Sequence, residues 1–133
     1  MRLLLDTHVW IWSQESPEKL GRLARGLLIG SRNRNCICAI STLEIARLLH
    51  HGAISLSMPL EDWVRQSLIE LDAETIPVTH EQAIEAYSLP GELHADPADR
   101  LLVAAGRCHG MTVLTADNRI LDYPHARSQD ARR

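Results

Sequence analysis

Short apolar runs alternating with longer stretches of helical spacing set what this chain can fold into. Arg2–Leu5 is apolar on both faces of an extended strand, which fits a central strand covered on two sides. Residues 35–40, 75–78 and 111–114 read as further short strands. The intervening stretches carry helix signals. Ser16-Pro17-Glu18 opens one helix, continued by Leu20, Leu23, Ala24, Leu27 and Leu28 to about Gly30. Ser41-Thr42-Leu43-Glu44 has the form of a capping box, with Ile45, Leu48 and Leu49 as the apolar face. Residues 60–71 follow Pro59, Thr79 opens a helix to about Tyr87, and Asp96-Pro97-Ala98-Asp99 starts an apolar helix ending before Gly110. This alternation predicts an α/β chain: a three-layer sandwich around a central, mainly parallel sheet. No repeat, linker or low-complexity segment interrupts it, so residues 1–133 read as one domain.

Charge limits the partners. A net charge of −3 argues against broad adhesion to nucleic acid, which depends on many Lys and Arg contacts. The cations are nearly all arginine, with one lysine at Lys19, so local phosphate contacts remain open. No stretch approaches the ~18 apolar residues of a membrane span, and no secretory leader is visible. Three cysteines, Cys36, Cys38 and Cys108, then suit a reducing cytoplasm. Cys36 and Cys38 fall in a predicted strand, with their thiols read as facing opposite ways. That disfavours zinc and makes them small buried apolar residues.

The acids are placed where an α/β sheet binds ligands, beyond the carboxyl ends of its strands. Asp6 closes the first apolar run and Asp117 follows the last. Glu44 and Asp99 fall in first helical turns. Most have an adequate structural explanation. Glu44 completes a capping box, Asp96 caps the helix before Pro97, Asp99 meets the helix dipole, and Asp117 sits in a turn. Asp6 is harder to dismiss. A carboxylate at the end of a buried strand is costly unless it is paired, hydrogen-bonded or metal-bound. Carboxylates converging from separate segments are oxygen ligands of the kind that hard divalent cations take.

The ordered motifs Leu5-Asp6-Thr7, Ser41-Thr42-Leu43-Glu44, Asp96-Pro97-Ala98-Asp99-Arg100-Leu101-Leu102-Val103-Ala104-Ala105 and Thr115-Ala116-Asp117 resemble the PIN-domain family. Within it they resemble the VapC-type ribonuclease toxins of toxin–antitoxin pairs. The resemblance implies an acidic quartet of Asp6, Glu44, Asp99 and Asp117. Of these, Asp6, Asp99 and Asp117 would hold Mg²⁺, with Mn²⁺ as the alternative ion. It makes Asp96 a cap and Thr7 and Thr115 supporting hydroxyls; Arg100, next to Asp99, faces either the site, as a candidate RNA contact, or solvent. The implied reaction is metal-dependent hydrolysis of RNA, leaving a 5′-phosphate and a 3′-hydroxyl. The implied partners are RNA, a small antitoxin, and a second copy or larger assembly, with no membrane.

The chain departs from the family after Asp117. The usual closing apolar strand is replaced by Tyr-Pro-His-Ala-Arg-Ser-Gln-Asp-Ala-Arg-Arg, so residues from about 123 read as a candidate disordered tail. Two other classes compete. A phosphoaspartate receiver or hydrolase needs a lysine after a later strand, and Lys19 is on the wrong side of the chain. A non-catalytic module keeping the fold would have no reason to retain all four acids.

Overall fold

The computed structural model describes residues 1–133. In chain order the elements are β1 (Arg2–Leu5), α1 (Thr7–Glu15), a 3-10 turn (Pro17–Lys19), α2 (Arg22–Ile29), β2 (Arg34–Cys38) and α3 (Ala39–His50). They continue with α4 (Leu60–Glu70), β3 (Glu74–Ile76), α5 (His80–Ala86), α6 (Pro97–His109), β4 (Thr112–Thr115), α7 (Asn118–Leu121) and β5 (Ser128–Asp130). The strands form one sheet in the order β3-β2-β1-β4-β5, and every neighbouring pair is parallel.

The first apolar run is the centre of the sheet because both of its faces are covered. Leu3, Leu4 and Leu5 are fully buried. Leu4 packs with Cys36, Cys38 and Val113 against Leu102, Val103 and Ala105 of α6. Leu3, Leu5 and Ile37 face the other way, onto Val9 and Trp10 of α1, Ala24 of α2, Ile45 of α3 and Trp63 of α4. The result is the expected three-layer sandwich. The two cysteines share one face, against the expectation, since residues two apart on a strand point the same way. They remain buried and reduced.

Helix boundaries moved where tertiary contacts outweighed local signals. The stretch after Ser16 does not run as one helix. It makes a 3-10 turn, breaks at Gly21 and restarts as α2. A Cβ on Gly21 would lie 2.0 Å from the main-chain carbon of Arg133, so the break is where the C-terminal residues cross. Those residues are not a disordered tail. β5 pairs with β4 through Val113 N–H to the Arg127 carbonyl (2.9 Å) and Ala131 N–H to the Thr115 carbonyl (2.8 Å). A parallel edge strand needs main-chain partners more than an apolar side-chain pattern, which is why its polar sequence concealed it. The carbonyls of Ala131 and Arg133 then accept from Gly21 and Ala24 N–H, fixing the start of α2.

Candidate active site

In this strand order the chain leaves β1 toward β2 and β3 on one side, then returns to lay β4 and β5 on the other. The carboxyl ends of β1 and β4 therefore face a crevice where connections diverge, the usual ligand position of an open α/β sheet. Asp6 is the residue after β1 and the N-cap of α1. Its Oδ1 accepts from Thr7 N–H at 2.8 Å and its Oδ2 from the Thr115 hydroxyl at 2.7 Å. These bonds offset the burial of a side chain that is only 5% exposed. The Thr115 hydroxyl also accepts from Asp117 N–H at 3.0 Å, so one buried oxygen sets two acids.

Glu44 reaches the same crevice from α3. That helix begins at Ala39, two residues before Ser41, and the expected capping box does not form. Freed from that role, Glu44 Oε1 accepts from the Thr7 hydroxyl at 2.7 Å, and Ser41 Oγ lies 3.0 Å from the same hydroxyl. Asp96 caps α6, accepting from Asp99 N–H at 3.1 Å. This turns the Asp99 side chain inward, where Oδ2 meets His94 Nε2 at 2.6 Å. Asp117 caps the short α7. A cleft of about 280 Å³ is lined by Asp6, Thr7, Glu44, Asp96, Asp99 and Asp117, together with His8, Arg47 and Arg119.

The charges in this cleft are unbalanced. Burial pushes the Glu44 carboxyl above its ordinary range, and the charges of Asp99, Asp6 and Asp96 add to it against the Thr7 bond. Burial also raises Asp99, helped by Asp6 and Asp96 and opposed by His94. Asp117 goes the other way. Burial alone would raise it, but the hydrogen bonds and charge of Arg119 together hold it below the usual carboxylate range.

Four residues here were not singled out as site components from the sequence. His94 lies in a loop with no periodic signal, and its Nδ1 is buried without a partner, leaving Nε2 as the donor to Asp99. His8 Nε2 accepts from Ala116 N–H at 2.9 Å, tying the end of β4 to the start of α1. Arg119 lies two residues after Asp117, a spacing that could have flagged it. Arg47 stands exposed on the α3 wall. Arg100, the candidate RNA contact, is instead committed elsewhere. Its guanidinium donates to the carbonyls of Ala86 (2.8 Å) and Leu93 (2.9 Å) and lies over the Tyr87 ring.

The donor set fits a hard divalent cation. Carboxylate oxygens of Asp99 and Asp117 lie within 4.8 Å of one another, Asp6 and Glu44 line the same cleft, and His94 Nε2 is already committed to Asp99. Burial is the first cause of the raised Glu44 and Asp99, and the neighbouring acids add to it. Residues 3–126, nearly the whole chain, match the PIN domain family. This chain is a PIN domain. The PIN domain is 33% identical to ribonuclease VapC22 of Mycobacterium tuberculosis over 125 residues, 94% of each chain. Its fold is that of VapBC2 from Rickettsia felis bound to a promoter DNA fragment (TM-score 0.67, 18% identity, 97% and 98% of the two chains). VapBC-1 from nontypeable Haemophilus influenzae is also similar (TM-score 0.64, 14% identity, 100% of both chains).

Proposed function

We propose that this PIN domain is a metal-dependent endoribonuclease acting as the toxin of a toxin–antitoxin pair. The observation that carries the reading is the convergence of Asp6, Glu44, Asp99 and Asp117, from four separate segments, on one cleft at the β1/β4 crevice. The ribonuclease relative supports the activity, and the solved VapBC complexes support the toxin role. Asp6, Asp99 and Asp117 are the proposed holders of Mg²⁺ or Mn²⁺, with His94 beside them. Bound there, the ion supplies Lewis-acid polarisation of a phosphoryl oxygen and a water of lowered pKa.

The chain's own residues do the rest. Thr7 and Thr115 hold Asp6 in one orientation before substrate arrives. Glu44, raised by burial, is a better proton acceptor than an ordinary carboxylate and takes the proton of the attacking water. Arg47, on the wall of the cleft, replaces Arg100 as the proposed phosphate contact. The cut leaves a 5′-phosphate and a 3′-hydroxyl.

The proposed protein partners are a small antitoxin covering the cleft and a second copy of the chain. Exposed apolar residues are available for such contacts: Leu23 and Ile29 on α2, and Leu43 one position before Glu44. No helix is long and apolar enough to cross a membrane. Free thiols at Cys36, Cys38 and Cys108 fit a proposed cytoplasmic site of action.

The purified protein with Mg²⁺ should cleave RNA. EDTA, Asp6→Ala and Asp99→Asn should each abolish cleavage while unfolding stays cooperative. Equal cutting by all variants would show that the acidic cleft is not the catalyst.

A further inference from the structure

The carboxylates of the cleft are already engaged by a positive group from the same chain. Arg119 Nε lies 3.2 Å from Asp117 Oδ1 and Nη2 lies 3.0 Å from Asp117 Oδ2, so both oxygens are taken by one fork. The same Nη2 is 3.8 Å from Asp99 Oδ2. Asp99 and Asp117 are two of the three residues whose ligand atoms cluster within 4.8 Å. We propose that Arg119 is a built-in counterion for the cation position of this cleft, which a divalent ion must displace in order to bind. The proposal rests on the metal-dependent reading above and concerns how the chain controls loading of that site.

Three observations carry it. Both Asp117 oxygens accept from the guanidinium, and Oδ1 takes the Arg119 N–H as well, so an ion approaching this carboxylate competes with those bonds. A positive charge this close also repels an incoming cation in a partly buried site. The fork is written into local sequence rather than forced by the acidic cluster. Asp130-Ala131-Arg132 forms the same arrangement, with Arg132 N–H and Nε on Asp130 Oδ1 and Nη2 on Oδ2, each at 2.9 Å. Arg132 Nη2 also donates to Asn118 Oδ1 at 2.8 Å, bracing the residue between Asp117 and Arg119.

The latch is built to open. The Arg119 side chain is 62% exposed, so its ion pair is weakened by solvent and leaving it costs little. Once displaced, the guanidinium remains at the mouth of the cleft, where an RNA phosphate can take the place of Asp117. In contrast, Arg100 is held by main-chain carbonyls and has no comparable freedom.

The test is titration of the metal-free full chain with Mn²⁺ by calorimetry, alongside thermal unfolding in EDTA and in Mn²⁺. Arg119→Gln should tighten Mn²⁺ binding roughly two- to tenfold, and Arg119→Lys, which keeps charge without the fork, should fall between it and the wild type. Arg119→Gln should also unfold at lower temperature in EDTA and show the larger Mn²⁺-induced rise. Unchanged binding in Arg119→Gln would overturn the latch. Weaker binding would overturn it too, by showing that Arg119 holds Asp117 in place for the ion. The two readings separate through Asp99→Asn. If the wild type binds Mn²⁺ and Asp99→Asn does not, the metal site stands whatever Arg119 does. If neither the wild type nor Arg119→Gln binds the ion, both readings fall.

Discussion

Burial and neighbouring acids disfavour the charged forms of Glu44 and Asp99 and raise both carboxyls. A raised carboxyl contributes stability that is complete below its unfolded pKa and is lost as pH rises through its folded value. The metal-free protein should therefore gain from these two groups as pH falls from neutral toward the ordinary carboxylate range. Asp117, held low, has the opposite sign: its contribution is present above its unfolded pKa and lost as pH falls through the depressed folded value. Glu44→Gln should accordingly stabilise the metal-free chain at neutral pH by about 1 kcal/mol or less, because solvent still reaches the group. That gain should shrink as pH falls toward the ordinary carboxylate range. Urea unfolding in EDTA across this range is the measurement. The two arginines that changed places make a second residue-scale prediction. Arg100→Met should cost about 1–3 kcal/mol by leaving the carbonyls of Ala86 and Leu93 short of donors, with little effect on RNA affinity. Arg47→Ala should leave stability unchanged and weaken RNA binding roughly three- to tenfold, read by fluorescence anisotropy in an Asp99→Asn background.

At the scale of elements, local signals and tertiary contacts disagreed in a consistent way. Thr79 opens α5 as expected and closes a capping box with Gln82, and Asp96 caps α6 as its Asp-Pro start predicts. In both, the cap side chain accepts from a backbone N–H of the first turn. Around Ser41 the outcome differs, because β2 runs directly into α3 and the helix has already started at Ala39. The would-be cap instead lines the acidic cleft, with its bond to Thr7. β5 and Gly21 show the same dependence on distant segments, since each is defined by the other's main chain. Gly21→Ala should displace residues 131–133 and loosen β5, costing about 1–3 kcal/mol. Faster hydrogen exchange at the Ala131 amide would report it. Mn²⁺ affinity should stay within roughly twofold of wild type, as Gly21 does not line the acidic cleft.

For the whole molecule, the site is a consequence of strand order. Asp6 and Asp117 come within reach of one another because β1 and β4 are neighbours, although more than a hundred residues separate them. An ion bound across this crevice links β1, α6 and α7, so it should stabilise the folded chain by mass action. At about a hundred times its dissociation constant the gain should be about 2.7 kcal/mol. The melting temperature should rise with Mn²⁺ concentration, and Asp6→Ala should flatten that rise. The sequence by itself determined the layered α/β architecture and the central place of β1, and its ordered motifs carried the family resemblance from which the four proposed site acids follow. Apolar periodicity and residue chemistry are local properties, and they are written in the order of residues. Only the tertiary structure decided that Glu44 turns to Thr7 rather than to its own helix start, and that Arg100 faces main-chain carbonyls. The same holds for the approach of Arg119 to Asp99, and for the final polar residues completing the sheet. Each of these depends on which distant segment arrives alongside, and the free energy of such contacts has no signature in the spacing of a single stretch of chain.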